Sequence, residues 1–353
     1  MVDLDNPKVY EQFDPGRMLA HLHRFPQQCQ EAWRKAKDFK LPTDFSSIDK
    51  VVVLGMGGSA IGGDLVCSLI LSSGKPTIFV HRDYGLPAFV DDRTLVIASS
   101  YSGMTEETVS AFSQALNTKA KKLVITTGGK LKVLAEEHKV PVFMIDYVSP
   151  PRVALGYSLF SLLAFLYQLG FLKEEPKIEE TVQTLEILLK KLKETVLTHL
   201  NPAKQLAGKF HGKLIVVYGA GILSEVARRW KTQLNENSKA WAFYETFPEL
   251  NHNAVVGYQF PKELVPKIFV VLLRSPSLHP RILARYQITT EIMNKAGIRY
   301  QIIDSEGKAD LSQLMNLVFF GDWVSYYLAI LYEIDPSPVK VINYLKERLS
   351  SSG

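Results

Sequence analysis

A strand-turn-helix signature occurs twice in this chain, and that repeat limits what it can fold into. Val51-Val52-Val53-Leu54, a short apolar run rich in β-branched residues, leads into Gly55-Met56-Gly57-Gly58-Ser59-Ala60-Ile61-Gly62-Gly63 and then an apolar, helix-like segment. Ile215-Val216-Val217-Tyr218 leads in the same way into Gly219-Ala220-Gly221 and a segment from Ser224 to Leu234. Gly55 and Gly219 stand 164 residues apart, close to half of the 353-residue chain, so the sequence reads as a duplicated α/β unit. Further strands follow at helix-length intervals: Thr77 to Val80, Leu95 to Ala98, Leu123 to Thr126 and Val142 to Ile145, then Ala242 to Tyr244, Ile268 to Leu273 and Arg299 to Ile303. Short apolar strands alternating with helices belong to parallel sheets covered on both faces. The expected fold is α/β: two tandem doubly wound parallel sheets, each a three-layer α/β/α domain. Residues 1–45 read as an N-terminal helical arm, 46–172 as the first domain, 173–200 as a charged amphipathic linker helix, and 201–353 as the second domain with its C-terminal helix.

Composition agrees with two soluble domains: 46% hydrophobic and 22% charged residues exclude disordered, collagen-like and disulfide-scaffold classes. The net charge of +5 is thinly spread, without a basic run interleaved with aromatics, which predicts small anionic partners and no nucleic acid. Cys29 and Cys67 match no metal spacing and are too few for a disulfide framework, so a reduced, cytoplasmic setting is expected. Asp3 and Asp5 stand where a secretory signal carries basic residues. Val153 to Leu172 is uncharged and long enough to cross a bilayer, but Tyr157, Ser158, Ser161, Tyr167 and Gln168 dilute it and Gly170 offers a C-cap. It reads as a buried helix, and no membrane association is expected.

In doubly wound sheets, ligands bind beyond the carboxyl ends of the strands. The first such loop, Gly55-x-Gly57-x-x-Ala60, nearly matches a dinucleotide fingerprint, which leaves a nucleotide-linked dehydrogenase as one reading. The third strand is more informative: Ser100-Tyr101-Ser102-Gly103-Met104-Thr105 places three hydroxyls and a glycine at a helix start, where free N–H groups and the dipole favour an anion such as a phosphate monoester. Ser59 adds a fourth hydroxyl from the neighbouring loop. The competing reading of each hydroxyl is N-capping.

Gly57-Gly58-Ser59 with Ser100-Tyr101-Ser102-Gly103-x-Thr105 resembles the sugar isomerase (SIS) domain, whose serine/threonine loop holds the phosphate of a sugar phosphate. Together with Pro151-Arg152-x-Ala154-x-Gly156, Asn235-Glu236-Asn237 and Lys239, and Pro248-Glu249-Leu250-Asn251-His252-Asn253, nearly the whole chain is similar to the bifunctional phosphoglucose/phosphomannose isomerases. The resemblance implies reversible isomerisation of glucose 6-phosphate and mannose 6-phosphate with fructose 6-phosphate through a cis-enediol, by a homodimer that needs neither metal nor cofactor. It places the phosphate on Gly57, Gly58, Ser59, Ser100, Ser102 and Thr105. Only the first copy is equipped for this, because Leu223 stands opposite Ser59 and Arg274-Ser275-Pro276-Ser277 replaces the hydroxyl loop.

For the chemistry, Glu236 is the expected proton carrier, at a helix C-terminus where the dipole disfavours its charged form. Arg152, after two prolines, offers a fixed guanidinium for developing enediolate charge. His252, between two asparagines, suits ring-oxygen proton transfer. The resemblance has it reach the site from the other subunit, and has the C-terminal helix supply a ring-opening lysine. Lys346 takes that role here, with Lys340 as competitor. A non-catalytic sugar-phosphate sensor is the alternative; it would keep the hydroxyl loop and have no need of Glu236 and His252.

Overall fold

The computed structural model describes residues 2–45, 47–71 and 76–351. In its first half, strands β1 (Lys50–Leu54), β2 (Thr77–His81), β3 (Thr94–Ser99), β4 (Lys121–Thr126) and β5 (Val142–Met144) form a parallel sheet in the order β2-β1-β3-β4-β5. In the second half, β6 (Leu214–Ala220), β7 (Ala242–Phe247), β8 (Ile268–Arg274) and β9 (Arg299–Asp304) form another, in the order β7-β6-β8-β9. All pairings are parallel, so the expected strands are all present and the duplicated doubly wound topology is seen directly. The repeat extends to backbone torsions: Gly57 and Gly221, equivalent across the two copies, have φ of 50° and 52°. Strand β7 runs three residues beyond the expected Tyr244.

Helices α1 (Lys8–Phe13) and α2 (Met18–Asp38) come from the N-terminal segment. The first domain adds α3 (Gly57–Ile70), α4 (Glu106–Leu116), α5 (Gly129–Glu137) and α6 (Leu155–Gln168). Then follow α7 (Ile178–Leu192), α8 (Pro202–Phe210), α9 (Ser224–Glu236), α10 (Pro280–Ala296), α11 (Asp310–Leu331) and α12 (Lys340–Ser350). The strands' two-residue alternation splits their side chains between layers. Val51, Val53, Leu95 and Ile97 share one core with Ile215, Val217, Val271 and Leu273 of the second sheet and with α2, α6 and α11. Val52, Leu54, Val96 and Ala98 face α4 and α5 in a separate cluster, and Tyr218, Val270 and Leu272 face α10 in a third. One apolar layer thus joins the two halves through their inner faces. Helix α2 lies in this layer against α6 and α7, and Lys204 of α8, almost fully buried, ties down the N-terminus by donating to the Leu4 carbonyl (2.7 Å) and Asp5 Oδ1 (3.1 Å).

Helix α6 is the uncharged segment expected to be buried, and Gly170 ends it with φ of 75° as the Phe171 N–H donates to the Leu166 carbonyl (3.0 Å). Sequence reading overlooked a longer case. Among the described residues α11 is the one helix long and apolar enough to cross a membrane, with a mean hydropathy of 1.4, and its best window is entirely buried. It packs against α7, α8 and α9 as a central core helix, which is why it lacks the one-sided polar pattern of a surface helix.

Candidate active site

The β1–α3 turn and the β3–α4 loop converge at the carboxyl edge of the first sheet. Ser59 Oγ accepts the Tyr101 N–H (3.1 Å), and Ser99 Oγ donates to the Ser59 carbonyl (3.1 Å), so the two loops are stitched together. Ser100 Oγ donates to Thr105 Oγ1 (3.0 Å) and accepts the Gly103 N–H (3.1 Å). Thr105 occupies the N-cap of α4 yet makes no capping bond, and α3 likewise has no side-chain cap. Two helix N-termini therefore keep their first N–H groups without side-chain partners, beside the hydroxyls of Ser59, Ser100 and Thr105, an arrangement suited to an anion. Ser102 is the exception: its exposed hydroxyl accepts the Met104 N–H (3.2 Å), a local turn bond.

Gly103 adopts φ of 65°, and a Cβ there would come within 1.8 Å of the Gly128 carbonyl oxygen. Gly103→Ala is expected to cost well over about 1 kcal/mol of stability from the left-handed backbone alone and to wreck the loop through the clash. Calorimetry and phosphate titration check this; an unchanged melting temperature with unchanged anion affinity would refute it.

Gly58 has a different reason to lack a side chain. Its Cβ would lie 2.9 Å from Arg152 Cα and 3.0 Å from the Pro151 carbonyl oxygen, so the Pro151–Val153 turn packs directly on the first turn of α3. This brings Arg152 beside the two hydroxyl-bearing loops. Its side chain is 3% exposed, with Nε donating to Asn237 Oδ1 (2.6 Å) and Nη2 to the carbonyls of Pro336 (2.7 Å) and Ser337 (2.9 Å). Nη1 faces Glu236 Oε2 at 3.7 Å. Burial pushes the guanidinium's proton affinity down, and the Glu236 carboxylate opposes that shift.

Glu236 is the last residue of α9, and Lys239 follows in the left-handed region (φ 53°) with Nζ donating to the carbonyls of Glu236 (2.7 Å) and Pro336 (3.0 Å). Partial burial of its ammonium and the nearby Arg152 push Lys239 down to about 8. Glu236 and Lys239 line a cleft of about 680 Å³ with Asp335 and Lys340 at the start of α12. The structure therefore brings Ser59, Ser100, Thr105, Arg152 and Glu236 into one continuous region of a single chain. Lys340 lines the cleft, whereas Lys346 lies on the exposed part of α12.

His252 lies elsewhere. Glu236 precedes β7 and His252 follows it in the turn Glu249–His252, so they stand at opposite ends of a six-residue strand that spans roughly 20 Å at ~3.3 Å per residue. His252 is exposed. The second copy's hydroxyls are spent internally: Ser275 Oγ and Ser277 Oγ both donate to Gln313 Oε1, and Leu223 is fully buried. Both cysteine thiols are pushed up by burial, which leaves neither primed as a nucleophile. Sequence reading missed Asn237 as a partner of Arg152 and all of the polar groups on α11 that support it; no local signal marks them.

Two tandem doubly wound sheets with a hydroxyl-lined anion site on the first define a SIS-domain sugar isomerase. The model of the bacterial phospho-glucose isomerase C-terminal SIS domain matches residues 199–349. The bifunctional phosphoglucose/phosphomannose isomerase of Caldicellulosiruptor bescii is 42% identical over 94% of this chain and 99% of its own length, and that of Aquifex aeolicus is 38% identical over 87% and 92%. Tagatose-6-phosphate ketose/aldose isomerase from Escherichia coli, at 18% identity, shares the fold with a TM-score of 0.64 over 91% of this chain and 94% of its own. The chain belongs to the bifunctional phosphoglucose/phosphomannose isomerase family and is an isomerase.

Proposed function

We propose that this enzyme interconverts glucose 6-phosphate and mannose 6-phosphate with fructose 6-phosphate by moving a proton between C1 and C2 through a cis-enediol(ate), without a metal ion, as a cytoplasmic homodimer. One observation carries the reading: Arg152, buried and fixed by three donated hydrogen bonds, points Nη1 at Glu236 beside the hydroxyl-lined N-termini of α3 and α4. The phosphate docks on those N-termini with Ser59, Ser100 and Thr105, and with Ser102, whose hydroxyl can still donate while it accepts the Met104 N–H. That leaves C1 and C2 toward Arg152 and Glu236. The Glu236 carboxylate takes the proton from one carbon and returns it to the other, so no net proton is gained or lost. Arg152 Nη1 offsets the negative charge that builds on the enediolate oxygens, in a site where burial strengthens each such interaction. Either hexose can yield the same planar enediol, which erases the difference at C2.

Ring opening needs a further proton donor and acceptor. His252 fills that role from a second subunit, a reading supported by its separation from Glu236 within one chain; Lys340 or Lys346 on α12 assists. The apolar side chains of Val341, Tyr344, Leu345 and Leu349, all more than half exposed on α12, are compatible with burial against a second copy. Coupled assays with each sugar phosphate in excess chelator test the proposal: turnover of both substrates is expected, and a folded dimer that binds them without turnover would overturn it.

A further inference from the structure

Arginine carries five N–H donors in a rigid plane and accepts no hydrogen bond. Nε and Nη2 of Arg152 commit three of them to Asn237 Oδ1 and to the carbonyls of Pro336 and Ser337, which leaves the Nη1 pair facing Glu236. Because the atom facing Nε must accept, it is Asn237 Oδ1, and the amide nitrogen of Asn237 is then left to donate to Ser325 Oγ (3.0 Å). Ser325 Oγ passes its own hydrogen to the Asp322 carbonyl on α11 (2.8 Å). The direction of the whole relay is fixed by the arginine at its end. A second route meets the same residue from behind: Arg229 Nη2 donates to the Arg152 carbonyl (2.9 Å) and pairs with the Asp322 carboxylate (3.1 Å), which also accepts from Gln233 (2.9 Å). Arg229, Gln233 and Asn237 recur every four residues along and just beyond α9, so they form one stripe against α11. All are 1% exposed, and Asp322 is 3% exposed.

We infer that Asn237 is the positioning residue of the active site: it sets the plane of the Arg152 guanidinium so that Nη1 alone faces the reacting oxygens, and the Asp322–Ser325 segment of α11 sets Asn237. The inference rests on the proposed role of Arg152. A guanidinium that rocks about its stem keeps its charge near the substrate, and hence binding, but loses alignment with charge that develops only in the transition state. The effect therefore belongs in kcat. A merely structural asparagine would alter the folded fraction and leave kcat per active site alone.

The test uses the full-length enzyme with Asn237→Ala, Ser325→Ala and Arg152→Lys, singly and in pairs, with active-site concentration measured for each. Asn237→Ala is expected to lower kcat about 10- to 100-fold with KM changed by less than about threefold, short of the 10²- to 10³-fold typical of deleting an oxyanion donor. Ser325→Ala, which leaves both catalytic groups and the Asn237 amide in place, is expected to lower kcat several-fold and serves if Asn237→Ala folds poorly. Asn237→Ala added to Arg152→Lys is expected to cost almost nothing further, because the two act as one unit. If Arg152→Lys itself leaves kcat intact, the reading of Arg152 fails. If Arg152→Lys is damaging but Asn237→Ala and Ser325→Ala keep wild-type kcat, or combine additively with it, the positioning role alone is overturned.

Discussion

Glu236→Gln is expected to lower kcat about 10²- to 10⁴-fold on glucose and mannose phosphates alike, with KM nearly unchanged. Glutamine keeps the shape at the end of α9 and the contact distance to Arg152 but cannot accept a carbon-bound proton. In the proposed mechanism the same carboxylate serves both substrates through one enediol, so the two losses should be equal; a loss confined to one sugar would show that separate bases operate. The variant also exposes the subunit arrangement. His252→Ala and Glu236→Gln homodimers should both be nearly inactive. When the two are mixed and reassembled, each heterodimer contains one site with an intact Glu236 from one chain and an intact His252 from the other. Random mixing should then restore about a quarter of wild-type activity, since half the dimers are hybrid and each has one working site. No recovery on reassembly would mean that His252 serves its own chain, and an active His252→Ala variant would mean that it serves no site at all.

Asp322→Ala is expected to destabilise the protein by about 3–5 kcal/mol, the cost of leaving a buried charge without its partner. Arg229, 1% exposed, loses the one carboxylate partner it has among the described residues, and Gln233 loses an acceptor for Nε2. Desolvation disfavours the charged form of Asp322, and Arg229 is what opposes it, so neither charge is tolerable alone. Chemical denaturation at fixed protein concentration measures the loss. Replacing both members, as in Arg229→Met with Asp322→Leu, should recover much of the stability while activity stays low, because the hydrogen bond to the Arg152 carbonyl is gone. A single Asp322→Ala variant within about 1 kcal/mol of wild type would contradict the assignment of a buried pair.

Gly58 shows how far residue patterns reach. Its place in a glycine turn marks a ligand loop, yet the contact that forbids a side chain is with the backbone of Pro151 and Arg152, nearly a hundred residues on. The hydroxyl loop proposed to hold the phosphate is legible because its hydroxyls, glycine and helix start are neighbours in sequence. Arg152 and Glu236 were legible only as candidates. Lys346 was chosen on a local Leu-Lys pattern, whereas which lysine enters the cleft depends on how the 335–338 segment folds under Arg152 and Lys239, and Lys340 is the one that lines it. Helix α11 escaped notice because a helix buried on every side has no amphipathic rhythm, and Asp322 within it looks like any isolated acid until Arg229 is seen beside it.

The sequence by itself determined the parallel strands, the duplication and the place of the hydroxyl loop at a helix start, since strand alternation, glycine turns and helix starts are short-range consequences of backbone geometry. Only the tertiary structure decided which groups work together. Arg152 meets Asn237 across 85 residues and Pro336 across 184, through bonds made by a close approach of α9, α11 and the C-terminal segment that no local pattern encodes. The same packing sends His252 to the end of β7 away from Glu236, and in the proposed chemistry a second chain brings another His252 to the site.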